Sequence, residues 1–269
     1  MPNPVILRSS PPGRMVSPSS LIFFVLVITC IPKLTLAQEG PPQRIPAEFM
    51  SYLGADWLER PGRIGEERPD EMLAAMGLRD GDIVADIGAG SGFHTRRMAR
   101  LVAPTGQVFA VDIQPEMLEI LKGRVEDEGL TGILPVLGEF DDPKLPENQI
   151  DWILLVDVYH EFANPDLMLA KMRQALKDSG KVALVEYRVE DGTGDHIKAD
   201  HRMSVHQVLS EWTPAGFELI ELHEFLPSQH LFIFQKAMGD GPTGVSAQSA
   251  IPSYNLFEAI NEGHVEVTA

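Results

Sequence analysis

The 269-residue sequence predicts an α/β fold, in which helices cover both faces of a doubly wound sheet of seven strands. Apolar, strand-like runs alternate along the chain with segments of helical periodicity, a pattern typical of mostly parallel sheets. The last two predicted strands are separated only by a short stretch around residues 226–229, too short for a parallel crossover. One antiparallel strand near the edge of the sheet is therefore expected.

The predicted strands follow from runs of apolar residues. The first strand, Ile83–Ile87, and the fourth, Ile150–Val156, are nearly unbroken apolar runs, as expected for strands buried on both faces. The other strands are expected at Gln107–Val111, Ile133–Leu137, Lys181–Tyr187, Phe217–Phe225 and Leu231–Gln235.

Helical spacing of apolar residues predicts the helices between these strands. They are expected at Phe93–Val102, from Pro115 onward, from Pro165 to a stop at Gly180, and at Ser204–Thr213. Proline suits the first turn of a helix, because its missing N–H would have no intrahelical partner there.

The amino terminus has the pattern of a secretory signal peptide over residues 1–37. Arg8 and Arg14 precede the apolar run Leu21–Ile31, and small residues lead to Ala37. The apolar run is shorter than the roughly 20 residues that span a bilayer as a helix. We therefore expect export and cleavage just after this segment. The alternatives are an uncleaved membrane anchor, or a cytoplasmic protein whose translation starts at Met50.

Three further regions are expected after the signal peptide. A linker and an N-terminal helical segment cover residues 38–81, the α/β domain covers residues 82–236, and a flexible tail covers residues 237–269. The tail is rich in glycine, serine and proline, which disfavours regular structure.

The composition limits the classes of partner. The chain has 22 Lys and Arg against 39 Asp and Glu, giving a net charge of −17. Nucleic acid is disfavoured, because phosphate binding depends on basic side chains. Cys30 is the only cysteine, so an intramolecular disulfide is excluded. Membrane contact is expected only through the N-terminal segment, and the sequence specifies no oligomeric state.

The stretch that follows the first predicted strand carries most of the functional information. Gly88, Gly90 and Gly92 lack a Cβ, so the backbone can turn sharply and approach a ligand closely. Asp86, directly before them, would repel a pyrophosphate and attract an ammonium group. Asp112 ends the second strand, where an acid suits ribose hydroxyls. A nucleotide-like ligand with a cationic amino-acid end is therefore expected.

Asp86, the three glycines and Asp112 together resemble the class I S-adenosylmethionine-dependent methyltransferases, over about residues 82–236. The resemblance implies a three-layer Rossmann-like fold, S-adenosylmethionine as cofactor and methyl transfer to a small molecule. It also implies that the loop after the third strand frames the adenine. The cofactor-binding candidates are Asp86, Gly88, Gly90, Gly92, Asp112, Ile113, Glu139, Asp141 and Asp157.

His160, just after the fourth strand, is the candidate catalytic residue. An imidazole with an ordinary pKa of about 6.5 accepts a proton near neutrality, and Glu161 or Asp157 would orient it. Loss of rate below about pH 6 is then expected. The alternative is that His160 only packs or bonds to the backbone.

No metal is expected at the site. Asp157 matches an acid that metal-dependent catechol-type methyltransferases have after the fourth strand, but Glu186-Tyr187 departs from their Asp-Asn pair after the fifth. Two other functions stay open: a non-catalytic cofactor-binding or scaffold protein on the same fold, and a nicotinamide oxidoreductase. The second is disfavoured, because none of the four tyrosines is followed by a lysine four residues later, as in the short-chain type.

Overall fold

The computed structural model describes residues 45–237 and 266–268. The predicted signal peptide and most of the predicted tail lie outside these residues. Within the described part of the chain, no helix is long and apolar enough to cross a membrane.

The strands form one mixed sheet. Their order across the sheet is β3-β2-β1-β4-β5-β7-β6-β8, and β7 runs antiparallel to both of its neighbours. The predicted fold is therefore confirmed, and a short eighth strand extends the edge from within the region predicted to be a tail. The bounds are β1 Ile83–Ile87, β2 Gln107–Asp112, β3 Ile133–Leu137, β4 Ile150–Val156, β5 Leu176–Tyr187, β6 Phe217–His223, β7 Gln229–Lys236 and β8 Glu266–Thr268.

Helices cover both faces of the sheet. Met72 and Met98 pack with Val84 on one face, and they belong to the helices Pro69–Met76 (α2) and Phe93–Val102 (α3). Trp212 and Leu169, on α6 and α5, pack on the other face, in a cluster with alternate strand residues. The bounds are α1 Arg63–Glu67, α2 Pro69–Met76, α3 Phe93–Val102, α4 Pro115–Asp127, α5 Pro165–Ala175 and α6 Val205–Trp212.

The strand order brings several loops to one place. Because β1 lies between β2 and β4, the chain leaves β1 and β4 in crossovers of opposite direction. In open α/β sheets, ligands bind at the carboxyl ends of the strands at such a switch point. The loops after β1, β2, β4 and β5 all emerge at this edge.

The predicted boundary between the helix that begins at Pro165 and the strand that follows it is wrong. The helix that begins at Pro165 ends at Ala175, whereas Gly180 was expected to stop it. Leu176 instead starts β5 and pairs with Ile150, before a register shift in the β4–β5 ladder. Leu176 is fully buried and continues the helical apolar spacing, so periodicity alone did not reveal that the backbone had become extended. Gly180 lies within the strand, where a Cβ would lie 2.8 Å from the Ile150 carbonyl oxygen.

Candidate active site

The loop after β1 packs tightly against the side chains of Val158 and Leu58. Gly88, Gly90 and Gly92 have φ values of +78°, +51° and +85°, in the left-handed region that favours glycine. A Cβ on Gly88 would lie 2.6 Å from Val158 Cγ2, and a Cβ on Gly90 would lie 2.9 Å from Leu58 Cδ1. The loop can therefore hold a ligand closely only with glycine at these positions.

Asp112 lies directly beside this loop. Its Oδ2 accepts a hydrogen bond from the Gly90 N–H at 2.8 Å, and its Oδ1 accepts one from the Gln114 N–H at 2.8 Å. Burial raises the pKa of Asp112, and these backbone hydrogen bonds oppose the rise. The carboxylate therefore anchors the glycine loop to the end of β2, where the sequence predicts contact with ribose.

Asp86 lies near the end of β1, and its side chain is enclosed against the first turn of α3. It is 3% exposed, and its Oδ2 accepts a hydrogen bond from Thr95 Oγ1 at 2.5 Å. Burial raises the pKa of Asp86 to about 6, against the opposing influence of the Thr95 hydrogen bond and of the charge on Arg63. The acid and the glycines thus lie on one continuous strand, turn and helix.

The segment before β1 covers the glycine loop. Glu59 accepts a hydrogen bond from Ser91 Oγ at 2.8 Å, and Leu58 Cδ1 lies over Gly90. Leu58 and Glu59 therefore lie over the glycine loop, while Met72, Leu73 and Met76 of α2 pack against the sheet.

Sequence reasoning did not single out Arg63. Arg63 is buried, donates from Nε to Glu67 at 2.8 Å, and donates from Nη2 to His94 Nε2 at 3.4 Å. Burial, followed by the charges of Arg63 and Arg97, lowers the pKa of His94. Neutral His94 then carries its proton on Nδ1, a buried donor with no hydrogen-bond partner among the described residues. The charged run from Arg60 to Glu67 was the available sequence signal.

The donor set fits S-adenosylmethionine. A buried guanidinium and an unused N–H donor beside the glycine loop suit a carboxylate, and the Asp112 carboxylate suits the ribose hydroxyls. Within the described residues, no group of three or more His, Cys, Asp or Glu side chains has an arrangement that could hold a metal ion.

The remaining cofactor candidates lie around this centre. Ile113 is half-buried beside Asp112, and Asp141 is half-buried in the loop after β3. Glu139 is exposed and forms an ion pair with Lys144 at 3.0 Å, so its carboxylate faces a neighbouring lysine.

Asp157 occupies a strained position at the end of β4. Its φ is +51°, an uncommon conformation for a non-glycine residue. Gln229 Nε2 donates to both carboxylate oxygens, at 2.9 and 2.8 Å. Burial, then repulsion from Glu67 and Glu186, raises the pKa of Asp157. The side chain is therefore fixed by β7, the antiparallel strand.

His160 forms a buried pair with Glu186. Its Nδ1 lies 2.6 Å from Glu186 Oε2, and its backbone N–H donates to Glu186 Oε1 at 3.2 Å. His160 is 4% exposed and Glu186 is 0% exposed. Glu186, rather than Glu161 or Asp157 as expected, orients the imidazole. The expectation was wrong because the partner lies on the adjacent strand, 26 residues away.

The expected ordinary pKa of His160 is also corrected. Burial disfavours the charged imidazole, but attraction and hydrogen bonding from Glu186, with further attraction from Asp157 and Glu161, outweigh it. Together they raise the pKa of His160 to about 9. The ring is therefore protonated at neutral pH, and its Nε2 has no hydrogen-bond partner within the described part of the chain.

A cavity of about 180 Å³ borders His160. The N-terminal segment forms one side, where the Ala47 N–H donates to the His160 carbonyl at 3.1 Å. The segment after β5 forms the other side. The lining residues are Ile45, His160, Ala199, Asp200, Arg202, Met203 and Gln207.

The sheet order, the glycine loop and the acids at the carboxyl ends of β1 and β2 define a class I S-adenosylmethionine-dependent methyltransferase. The family described as a methyltransferase domain matches residues 78–232, and the chain belongs to that family. S-adenosylmethionine is its cofactor.

Known proteins agree with this assignment. The chain is 31% identical over 116 residues to the ubiquinone/menaquinone biosynthesis C-methyltransferase UbiE of Saccharophagus degradans, covering 43% of this chain and 47% of that protein. It is 34% identical over 116 residues to UbiE of Chromobacterium violaceum, with the same coverage. The chain thus matches about half the length of these relatives. A SAM-dependent methyltransferase from Aquifex aeolicus has a similar fold, with a TM-score of 0.65, 22% identity, and coverage of 70% of this chain and 100% of that one.

Proposed function

We propose that this chain transfers a methyl group from S-adenosylmethionine to a ring carbon of a small hydroxylated aromatic molecule. The observation that carries the proposal is the pairing of His160 with Glu186 beside a cavity at the end of β4, which leaves Nε2 directed away from Glu186 and without a partner among the described residues. The ring-carbon acceptor is supported by the relatives, which are named C-methyltransferases of ubiquinone and menaquinone biosynthesis.

In this proposal the two halves of the site have separate roles. Asp86, the three glycines, Arg63 and His94 hold the amino-acid end of the cofactor, and Asp112 holds the ribose. When bound, S-adenosylmethionine supplies the methyl group, and the electron pair of the broken carbon–sulfur bond stays on sulfur. His160, held by Glu186, contacts the acceptor. Alignment of the acceptor supplies much of the rate, because positioning alone is worth roughly 7 to 11 kcal/mol in favourable cases.

The test uses 1,4-dihydroxynaphthalene as the acceptor, kept reduced under anaerobic conditions. We expect a product that is heavier by one methylene and that NMR shows to carry the methyl on a ring carbon. Methylation at oxygen alone would refute the ring-carbon assignment. Bound cofactor without any methyl transfer to this ring would refute the proposed acceptor class.

Asp112→Ala should weaken S-adenosylmethionine binding by about 1 to 3 kcal/mol, because the ribose hydroxyls lose a charged acceptor. Asp112→Asn keeps one acceptor for the loop N–H groups and should also bind more weakly. Asp166→Ala, which removes an exposed carboxylate on α5, is the matched control. Titration calorimetry measures all three, and parent-like affinity in both Asp112 variants would remove this residue from the cofactor site.

We also propose that the protein is exported and cleaved near Gln38. The support is the order of basic, apolar and small residues in the first 37 positions. Amino-terminal sequencing of protein from the native host should give Gln38 or a near neighbour. An intact Met1, or a start at Met50 in the cytoplasmic fraction, would contradict export.

A further inference from the structure

The His160 side chain carries a hydrogen-bonding group that nothing in the described protein uses. Nδ1 is committed to Glu186 at 2.6 Å, whereas Nε2 is buried without a partner. A buried donor left unpaired costs about 1 to 3 kcal/mol, and more when it is charged. Such a group in a folded protein calls for an explanation, and beside a cavity a bound ligand can supply the missing partner.

The surroundings specify what kind of atom would complete it. The cavity beside His160 also contains Arg202, whose Nε is buried without a hydrogen-bond partner in the described chain. Arg202 forms an ion pair with Asp195 through Nη1, so its Nε is the donor left over. Two cationic side chains that border one cavity, each with an unpaired N–H, favour an acceptor atom with negative charge.

We propose that His160 acts on the methyl acceptor as a charged hydrogen-bond donor and not as a base, and that the acceptor binds through an anionic phenolate or enolate oxygen. This inference rests on the proposed function, because it identifies the form of the acceptor at the same site. The oxyanion supplies the electron density by which the neighbouring ring carbon attacks the methyl carbon. The ring proton is then lost to water, which restores the aromatic ring and the phenolate.

The protonation state agrees with a donor. His160 has a pKa of about 9, so at neutral pH both ring nitrogens carry protons and neither accepts one. A base would require the deprotonated ring and would gain activity as pH rises through about 9. A charged donor loses its effect over the same interval. The charged and titratable groups that face His160 or its cavity are Glu186, Asp157, Glu161, Asp200, His201 and Arg202.

The experiment measures binding of 4-nitrophenolate to the full chain loaded with S-adenosylhomocysteine. This phenol is anionic at mildly alkaline pH, and its absorbance reports whether it binds ionised. We expect the bound probe to be the phenolate, with affinity that falls about ten- to hundredfold as pH rises through the pKa of His160. Binding as the neutral phenol, no binding, or affinity independent of pH across that interval would overturn the proposal.

Two variants separate charge from structure. His160→Gln retains an N–H donor without charge and should bind the phenolate about ten- to hundredfold more weakly, with the pH dependence lost. Glu186→Gln removes the attraction that keeps the ring charged, so the pH midpoint of binding should fall together with the pKa of His160 measured by NMR. His206→Gln makes the same replacement at an exposed histidine on α6 and is the control. A midpoint that does not follow the pKa of His160 would reject the donor.

Failure of this inference is distinguishable from failure of the proposed function. In one outcome, 1,4-dihydroxynaphthalene is methylated on carbon, the rate increases as pH rises through the pKa of His160, and 4-nitrophenol does not bind as a phenolate. His160 is then a base, and the proposed function stands. If the ring is not methylated but 4-nitrophenolate binds with the expected pH dependence, the donor stands and the acceptor class is wrong.

Discussion

His160→Ala lowers turnover of 1,4-dihydroxynaphthalene by about 10²- to 10³-fold, the usual effect of removing one donor to a developing or bound oxyanion. Cofactor affinity stays close to the parent value, because the hydrogen bonds that fix the glycine loop and Asp112 do not involve the His160 ring. Turnover and S-adenosylmethionine binding are measured on the same preparations, and thermal unfolding checks that the variant is folded.

A matched change clarifies this result. Glu161→Gln alters the carboxyl next to His160 whose pKa burial raises to about 7. It leaves the His160–Glu186 pair intact and should reduce turnover much less than His160→Ala does. Full activity of His160→Ala would assign catalysis to alignment of the reactants alone. A large loss of cofactor affinity would instead place His160 in the cofactor site.

The arrangement of the candidate cofactor-binding residues could be predicted from the sequence because these residues are close in the chain. Asp86 and the three glycines lie within seven consecutive residues, and Asp112 follows at the end of the next strand. A buried strand, glycines that tolerate positive φ and an acid at a strand end each have a local sequence signature. The fold was predictable for the same reason, since each strand and helix has its own period.

The surroundings of His160, the candidate catalytic residue, depend on contacts between distant segments. Glu186, at the end of β5, meets His160, which follows β4 and lies 26 residues earlier in the chain. Gln229 meets Asp157 across 72 residues of sequence. Glutamate and glutamine at strand ends are common, and their sequence neighbourhood does not reveal which side chain they meet. The pKa of His160 could not be predicted either, because the direction of its shift depends on whether a carboxylate or only apolar side chains face the ring.

Glu186→Ala should lower the free energy of unfolding by about 3 to 5 kcal/mol at neutral pH, because it leaves the buried His160 without its counter-charge. The imidazole can relieve part of this cost by losing its proton, since burial then acts on its pKa without opposition from Glu186. The double variant His160→Ala with Glu186→Ala should therefore cost less than the sum of the two single changes. Denaturant unfolding at one pH measures all four proteins, and additive effects would show that the pair is not coupled.

The same pair makes stability depend on pH with a definite sign. The pKa of His160 is raised from 6.5 to about 9 on folding, so between these values the folded state holds a proton that the unfolded state has lost. The stabilisation that this proton provides is complete below the pKa of His160 in the unfolded state. It disappears as pH rises through the pKa of His160 in the folded state. At about 1.4 kcal/mol per pKa unit, the contribution is on the order of 3 kcal/mol. We expect the unfolding free energy of the parent to fall by this amount relative to His160→Ala between neutral pH and the alkaline side of the transition. Parallel pH profiles for the two proteins would show that His160 is neutral in the folded state. That result would contradict both the charged His160–Glu186 pair and the charged hydrogen-bond donor.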